Sequence, residues 1–214
     1  MEKAFYYSAL AIFFLTALSD DLFSQPKWEV GFRIIPQSPS LRYKTPSPIS
    51  DFLKLTPYYS RLRMAQGIGV VYHLHRRWSV AADIIYSMQG GGYKERKTNL
   101  NYFKIPVTIG YNARNSRKLV FNMQTGIDVN FLASAKLKYQ DGQVEDIGKY
   151  LSKVSLGVPF SIGWKFKLSK SYLMNTQVYA NTDFTSISKT DQSFKVNNYI
   201  LPGIRFSVDQ PLRK

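Results

Sequence analysis

Residues 153–168 alternate with a period of two along their whole length, and few folds accommodate that pattern. Val154, Leu156, Val158, Phe160, Ile162, Trp164, Phe166 and Leu168 fall on one face. Lys153, Ser155, Gly157, Pro159, Ser161, Gly163, Lys165 and Lys167 fall on the other. A strand sends successive side chains to opposite faces, so one face here is apolar and the other polar or small. The run is also longer than most strands of soluble sheets. Similar alternation recurs from Trp28 to Val208. A wall with lipid outside and a polar, side-chain-filled interior accounts for both the length and the alternation. A soluble lipocalin-like ligand binder would need the opposite sense, apolar inside and wet outside.

Eight strands are expected, near 28–36, 59–74, 78–89, 100–111, 119–132, 153–168, 172–183 and 196–208. The connections alternate in length. Residues 75–77 and 169–171 are tight and 112–118 only slightly longer, whereas 37–58, 90–99, 133–152 and 184–195 are long. Tight turns on one side and long loops on the other mark an outer-membrane barrel, with the long loops extracellular. The fold class expected is therefore all-β, an eight-stranded antiparallel up-and-down transmembrane barrel with both termini in the periplasm. Trp28, Trp78 and Trp164 then share the periplasmic level with Tyr72, Tyr111 and Tyr172. Tyr86, Phe103 and Phe131 fall near the other rim. Amphipathic rings collect at both membrane interfaces.

The first residues read as a secretory signal. Lys3 precedes the compact apolar run 9–18, which is too short to span a bilayer comfortably. The expected organisation is a signal peptide over 1–25, cut after Ser19 or Gln25, a barrel over 26–210 and a tail over 211–214. The chain's net charge is +15. A cut after Ser19 removes Glu2 and Lys3 together and leaves that charge unchanged. A cut after Gln25 also removes Asp20 and Asp21, two negative charges. The basic residues are spread over turns, loops and interior positions with no basic helix, which argues against nucleic acid as a partner. Attraction to outer-membrane lipid and lipopolysaccharide is the expected consequence of the charge. The chain has no cysteine, which excludes disulfides, Cys-ligated zinc, a thiol nucleophile and an acylated cysteine anchor.

Several segments carry a family resemblance. These are Gly67-Ile68-Gly69-Val70-Val71-Tyr72 followed by Trp78-Ser79-Val80, then Tyr86-Ser87-Met88-Gln89-Gly90-Gly91, then Leu100-Asn101-Tyr102-Phe103-Lys104-Ile105-Pro106-Val107. They resemble the PorT-like, porin-like outer-membrane β-barrel proteins, and more broadly the OmpX/OmpA-like eight-stranded barrels. Phe103 stands where the family more often has Leu. The resemblance covers most of the chain and its motifs are structural. It implies a barrel in the outer membrane of a Gram-negative bacterium, in a family whose members of known role include secretion-system components. Many such barrels end on an aromatic residue read by the assembly machinery. Here Phe206 is followed by an expected tail, 207–214.

The inward positions supply the candidate chemistry. A lumen charge network is expected from Glu29, Arg33, Asp83, Lys104, Asp128, Lys153 and Arg205, because a buried charge needs a partner. The expected pairs are Glu29 with Arg205, Asp83 with Arg33, and Asp128 with Lys104 or Lys153. The lumen of eight strands is just wide enough to be filled by side chains, so a polar plug is favoured over an ion path. No catalytic, cofactor-binding or metal-binding residue is assigned. A lipid-modifying enzyme would need a base beside a nucleophile at the outer rim. The only histidines, His73 and His75, flank a periplasmic turn, and Arg76-Arg77 beside them repels a metal cation. Binding is expected instead at the long loops, through Tyr93, Lys94, Arg96, Lys97, Lys136, Lys138 and Tyr139, since loops on a rigid scaffold commonly carry it. The reading is a non-enzymatic interaction or accessory transport and secretion component, with a protein partner in a secretion or surface complex. A narrow anion-preferring pore is the alternative and a lipid-modifying enzyme the third.

Overall fold

A computed structural model of the chain describes residues 28–43, 59–60, 62–93, 96–114, 119–169, 172–187, 189 and 196–212. The expected signal peptide lies outside these residues. Eight long strands form the wall: β1 (Trp28–Tyr43), β2 (Arg63–His73), β3 (Trp78–Gln89), β4 (Arg96–Arg114), β5 (Leu119–Tyr139), β6 (Val154–Lys167), β7 (Leu173–Asp183) and β8 (Val196–Leu212). Each pairs antiparallel with its sequence neighbour. The wall closes through β1 and β8, in the register Trp28↔Leu212 and Arg33↔Ser207. Closure leaves no edge along the wall, which a strand surrounded by hydrocarbon requires. No helix among the described residues is long and apolar enough to cross a membrane.

Burial is inverted relative to a soluble protein. Phe32, Ile84, Val107 and Ile127 are exposed, whereas Glu29, Arg33, Asp83 and Asp128 are buried. Alternation therefore separates a lipid-facing surface from a polar core. Aromatic rings stack across strands at two levels. Trp28 meets Tyr72 at 4.6 Å, Trp78 meets Tyr111 at 5.2 Å and Phe121 meets Trp164 at 6.2 Å near the tight turns. Tyr86 meets Phe103 at 5.3 Å near the other rim. The two levels bound the apolar band.

The strands depart from the expected extents mainly at the outer side. β4 begins at Arg96 and β5 continues to Tyr139, so both protrude beyond the outer aromatic level. A bulge between Asn101 and Tyr102 lets the ladder continue there. Tyr59–Ser60 pairs with Gly91–Tyr93, and Gly91–Tyr93 with the start of β4. Val144–Asp146 pairs with the end of β5. At the opposite end, β8 runs through Leu212. The expected tail after Phe206 and the expected boundary at 210 are thereby corrected: 207–212 belong to the wall, because the ladder with β1 holds them.

Candidate functional site: the lumen and its extracellular roof

A row of four residues across β8, β1, β2 and β3 builds the first half of the lumen. Asp209 pairs with Gly31, Gly31 with Gly69, and Gly69 with Asp83. The two central glycines have no side chains, and the flanking carboxylates lean into the space they leave. A Cβ on Gly69 would overlap the Asp83 carboxylate, and one on Gly31 would overlap that of Asp209. Two arginines lie in this saddle. Arg33 Nε donates to Asp83 Oδ1 at 3.0 Å and its Nη1 to Asp209 Oδ1 at 2.5 Å. Arg205 Nη2 donates to Asp83 Oδ2 at 2.6 Å. All four side chains are at most 5 % exposed, so this is a buried, charge-balanced quartet.

The other half of the wall repeats the device. Asp128 on β5 pairs with Gly157 on β6, and Gly157 with Asp183 on β7. Lys104 Nζ donates to Asp128 Oδ2 at 3.2 Å, and Asn181 Nδ2 donates to the same oxygen at 2.7 Å. Asp183 accepts from Asn130 Nδ2 at 2.9 Å and from the Ser155 hydroxyl at 3.2 Å. Near the tight turns, Glu29 bonds His73 Nε2 at 2.8 Å and also receives Lys165 from β6, three strands away around the barrel. Gln177 and Asn122 close the same region at 3.0 Å.

Six of the seven expected network residues are buried in the lumen: Glu29, Arg33, Asp83, Lys104, Asp128 and Arg205. Arg33 meets Asp83, and Lys104 meets Asp128. Two expectations are corrected. Lys153 is exposed, because the ladder starts at Val154 and Lys153 sits in the preceding bend, its carbonyl held by the Leu132 N–H at 2.7 Å. Glu29 does not pair with Arg205, because the register sets Glu29 opposite Pro211 and sends Arg205 to Asp83. Sequence reasoning left Asp209 out of the network by placing it in a tail. The alternation of Val208 outward and Asp209 inward carries that signal.

Among the described residues an apolar cluster caps the outer ends of β4 and β5. Leu100, Tyr102, Ala135 and Leu137 point inward from the tops of β4 and β5. Ile147, Leu151 and Ile187 pack onto them from the two connections above. The roof is tied by backbone bonds from Ile147 N to Ala135 O at 3.0 Å, Ser152 N to Ile187 O at 2.7 Å and Lys189 N to Tyr150 O at 3.0 Å. Its tip is a hairpin turn, with Gly142 at φ 89° and the Asp141 carboxylate accepting from Gln143 N at 3.0 Å. The Asp141-Gly142 pair is the sequence signal for that turn. Lys149 lies over the Tyr150 ring at 4.8 Å, and a hydrogen bond with Tyr150 raises its pKa.

The expected loop binders do not all lie in loops. Lys97, Lys136, Lys138 and Tyr139 belong to the protruding strands, as does the backbone of Arg96, which pairs with Tyr93 on the short strand Gly91–Tyr93. Tyr139 donates to Glu145 Oε2 at 3.1 Å. Lys94 lies outside the described residues.

Comparison with known proteins agrees with this architecture. The family described as outer membrane protein beta-barrel domain matches residues 23–189. Neisserial surface protein A superposes with a TM-score of 0.56 at 12% identity, covering 87% of this chain and 97% of that one. OprG of Pseudomonas aeruginosa gives 0.42 at 13% identity, covering 84% and 93%. Ail, the attachment invasion locus protein of Yersinia pestis, gives 0.42 at 10% identity, covering 85% and 99%. No curated protein matches the sequence. A closed eight-stranded wall with apolar residues outside and charges inside, matched by the family over most of its length, leads to one conclusion: the chain belongs to the outer membrane protein beta-barrel domain family and resides in the outer membrane of a Gram-negative bacterium.

Proposed function

We propose that this barrel is a closed, non-enzymatic scaffold that acts at its extracellular face, as an interaction or accessory transport and secretion component. The observation that carries the reading is the double obstruction of the lumen. The Arg33–Asp83–Arg205–Asp209 quartet occupies one half of it and the Lys104–Asp128 pair the other, and the Ile147, Leu151 and Ile187 roof packs over the outer ends of β4 and β5. Opening a path would separate buried ion pairs and expose apolar side chains, both costly. The narrow anion-preferring pore would require both. The enzyme reading lacks a histidine base at the outer rim. His73 and His75 lie at the opposite end, and Asp183 is engaged by Asn130 and Ser155.

Among the described residues, the surface that remains available is the outer sheet and its turn at 140–143, all four residues of which are exposed. The PorT-like resemblance points the same way, toward a protein partner in a secretion or surface complex. The test is photo-crosslinking in native outer membranes from a probe at Gln140 or Gln143. A discrete adduct with one protein is expected. Labelling no different from a probe on the periplasmic turn, at Arg76, would contradict the proposal.

A further inference from the structure

The outward face of the protruding β4–β5 sheet carries three lysines. Lys97 lies directly opposite Lys138, and Lys136 lies opposite Asn99 on the same face. All three are exposed. No ion pair or hydrogen bond holds any of their ammonium groups among the described residues. Among the described residues the acid on this face is Asp146, opposite Lys136, and its Oδ1 instead accepts from Gly148 N at 2.8 Å. Like charges directly opposed across an antiparallel pair repel, so Lys97 and Lys138 destabilise this sheet unless an anion lies between them.

The height of the patch identifies the anion. β4 alternates without interruption from Lys97 to Phe103, so the lysines stand on the same face as the outer aromatic level. Six residues separate the two along β4. At about 3.3 Å per residue and a tilt of about 45°, the upper row lies roughly 14 Å above Phe103, and the row of Asn99 and Lys136 roughly 9 Å above it. A phospholipid headgroup layer adds only about 5–8 Å to each side of the hydrocarbon. The upper row therefore stands beyond phospholipid phosphodiesters, at the level of the sugars of a glycolipid leaflet.

We infer that Lys97, Lys136 and Lys138 bind the phosphorylated saccharide headgroup of lipopolysaccharide, with one phosphate between Lys97 and Lys138. The site lies on the outer wall, and its existence does not depend on whether the lumen conducts. The refolded barrel in neutral detergent is titrated calorimetrically with purified lipopolysaccharide, with the same material after enzymatic dephosphorylation, and with phosphatidylglycerol micelles. Affinity for intact lipopolysaccharide is expected to fall about a hundredfold in the K97Q/K136Q/K138Q variant, since each lysine near an anionic lipid surface contributes roughly a fivefold factor. Wild-type protein is expected to bind the dephosphorylated form as weakly as the variant binds the intact one. Equal affinity for intact and dephosphorylated material would overturn the assignment. So would equal affinity for phosphatidylglycerol, which would reduce the patch to a general anionic contact. The wild-type comparisons decide the matter even if the triple variant fails to refold.

Discussion

Asp83→Ala removes the one carboxylate shared by both lumen arginines. Arg33 keeps Asp209, but Asp83 is the only ion-pair partner of Arg205 among the described residues. The substitution therefore strands a guanidinium that is 5 % exposed. Breaking a buried pair from one side costs about 3–5 kcal/mol, most of it the uncompensated charge. Asp209→Ala should cost less, because Arg33 retains its bond to Asp83 at 3.0 Å. In the Asp83→Ala/Arg205→Ala double variant the stranded charge is gone. Its loss should fall short of the sum of the singles by about 1–3 kcal/mol. The assay is equilibrium urea unfolding in lipid vesicles, followed by fluorescence of Trp28, Trp78 and Trp164 at the periplasmic aromatic level. A loss below 1 kcal/mol for Asp83→Ala, or strict additivity in the double variant, would refute the argument. Either would mean that water reaches Arg205 and that the quartet does not seal the lumen.

Two further outcomes follow from the same geometry. Gly69→Ala places a methyl on the Asp83 carboxylate, which two arginines hold in place, so a loss of about 1–3 kcal/mol is expected in the same urea assay. An unchanged midpoint would show that the carboxylate is free to move. Val107 is 50 % exposed on the lipid face and lies midway between Phe103 and Tyr111, so Val107→Arg should cost about 2–4 kcal/mol on folding into bilayers. Loss of a few tenths only, as for a residue at the interface, would shift the assigned midplane.

The wall was legible because lipid and lumen impose a two-letter code on every strand. Phe103, Ile105, Val107 and Ile109 against Tyr102, Lys104, Pro106 and Thr108 is that code read directly. It stops being legible where the lipid stops. Above Phe103 the outward residues become Asn101, Asn99 and Lys97, the alternation of hydrophobicity disappears, and the strand looks like a loop, although Leu100 and Thr98 still point inward. The same limit hid the roof, whose apolar residues Ile147, Leu151 and Ile187 are scattered through otherwise polar connections. Pairing inside the lumen failed for a different reason. Alternation says which residues point inward but not their register around a closed, staggered wall, so Arg205 was matched with Glu29 when the ladder carries it to Asp83. The small residues between the carboxylates, Gly31, Gly69 and Gly157, were the readable trace of that arrangement.

Planar-bilayer recording of the purified barrel is the most direct test of the closed lumen. With the ion-pair quartet in place and the roof packed on Leu100, Tyr102 and Leu137, the wild-type protein should pass no steady current. The Arg33→Ala variant should also stay silent, because Lys104, Asp128, Asn181 and the roof still obstruct the lumen. A steady, anion-selective current in the wild type that increases in Arg33→Ala would contradict the account and establish the barrel as a pore.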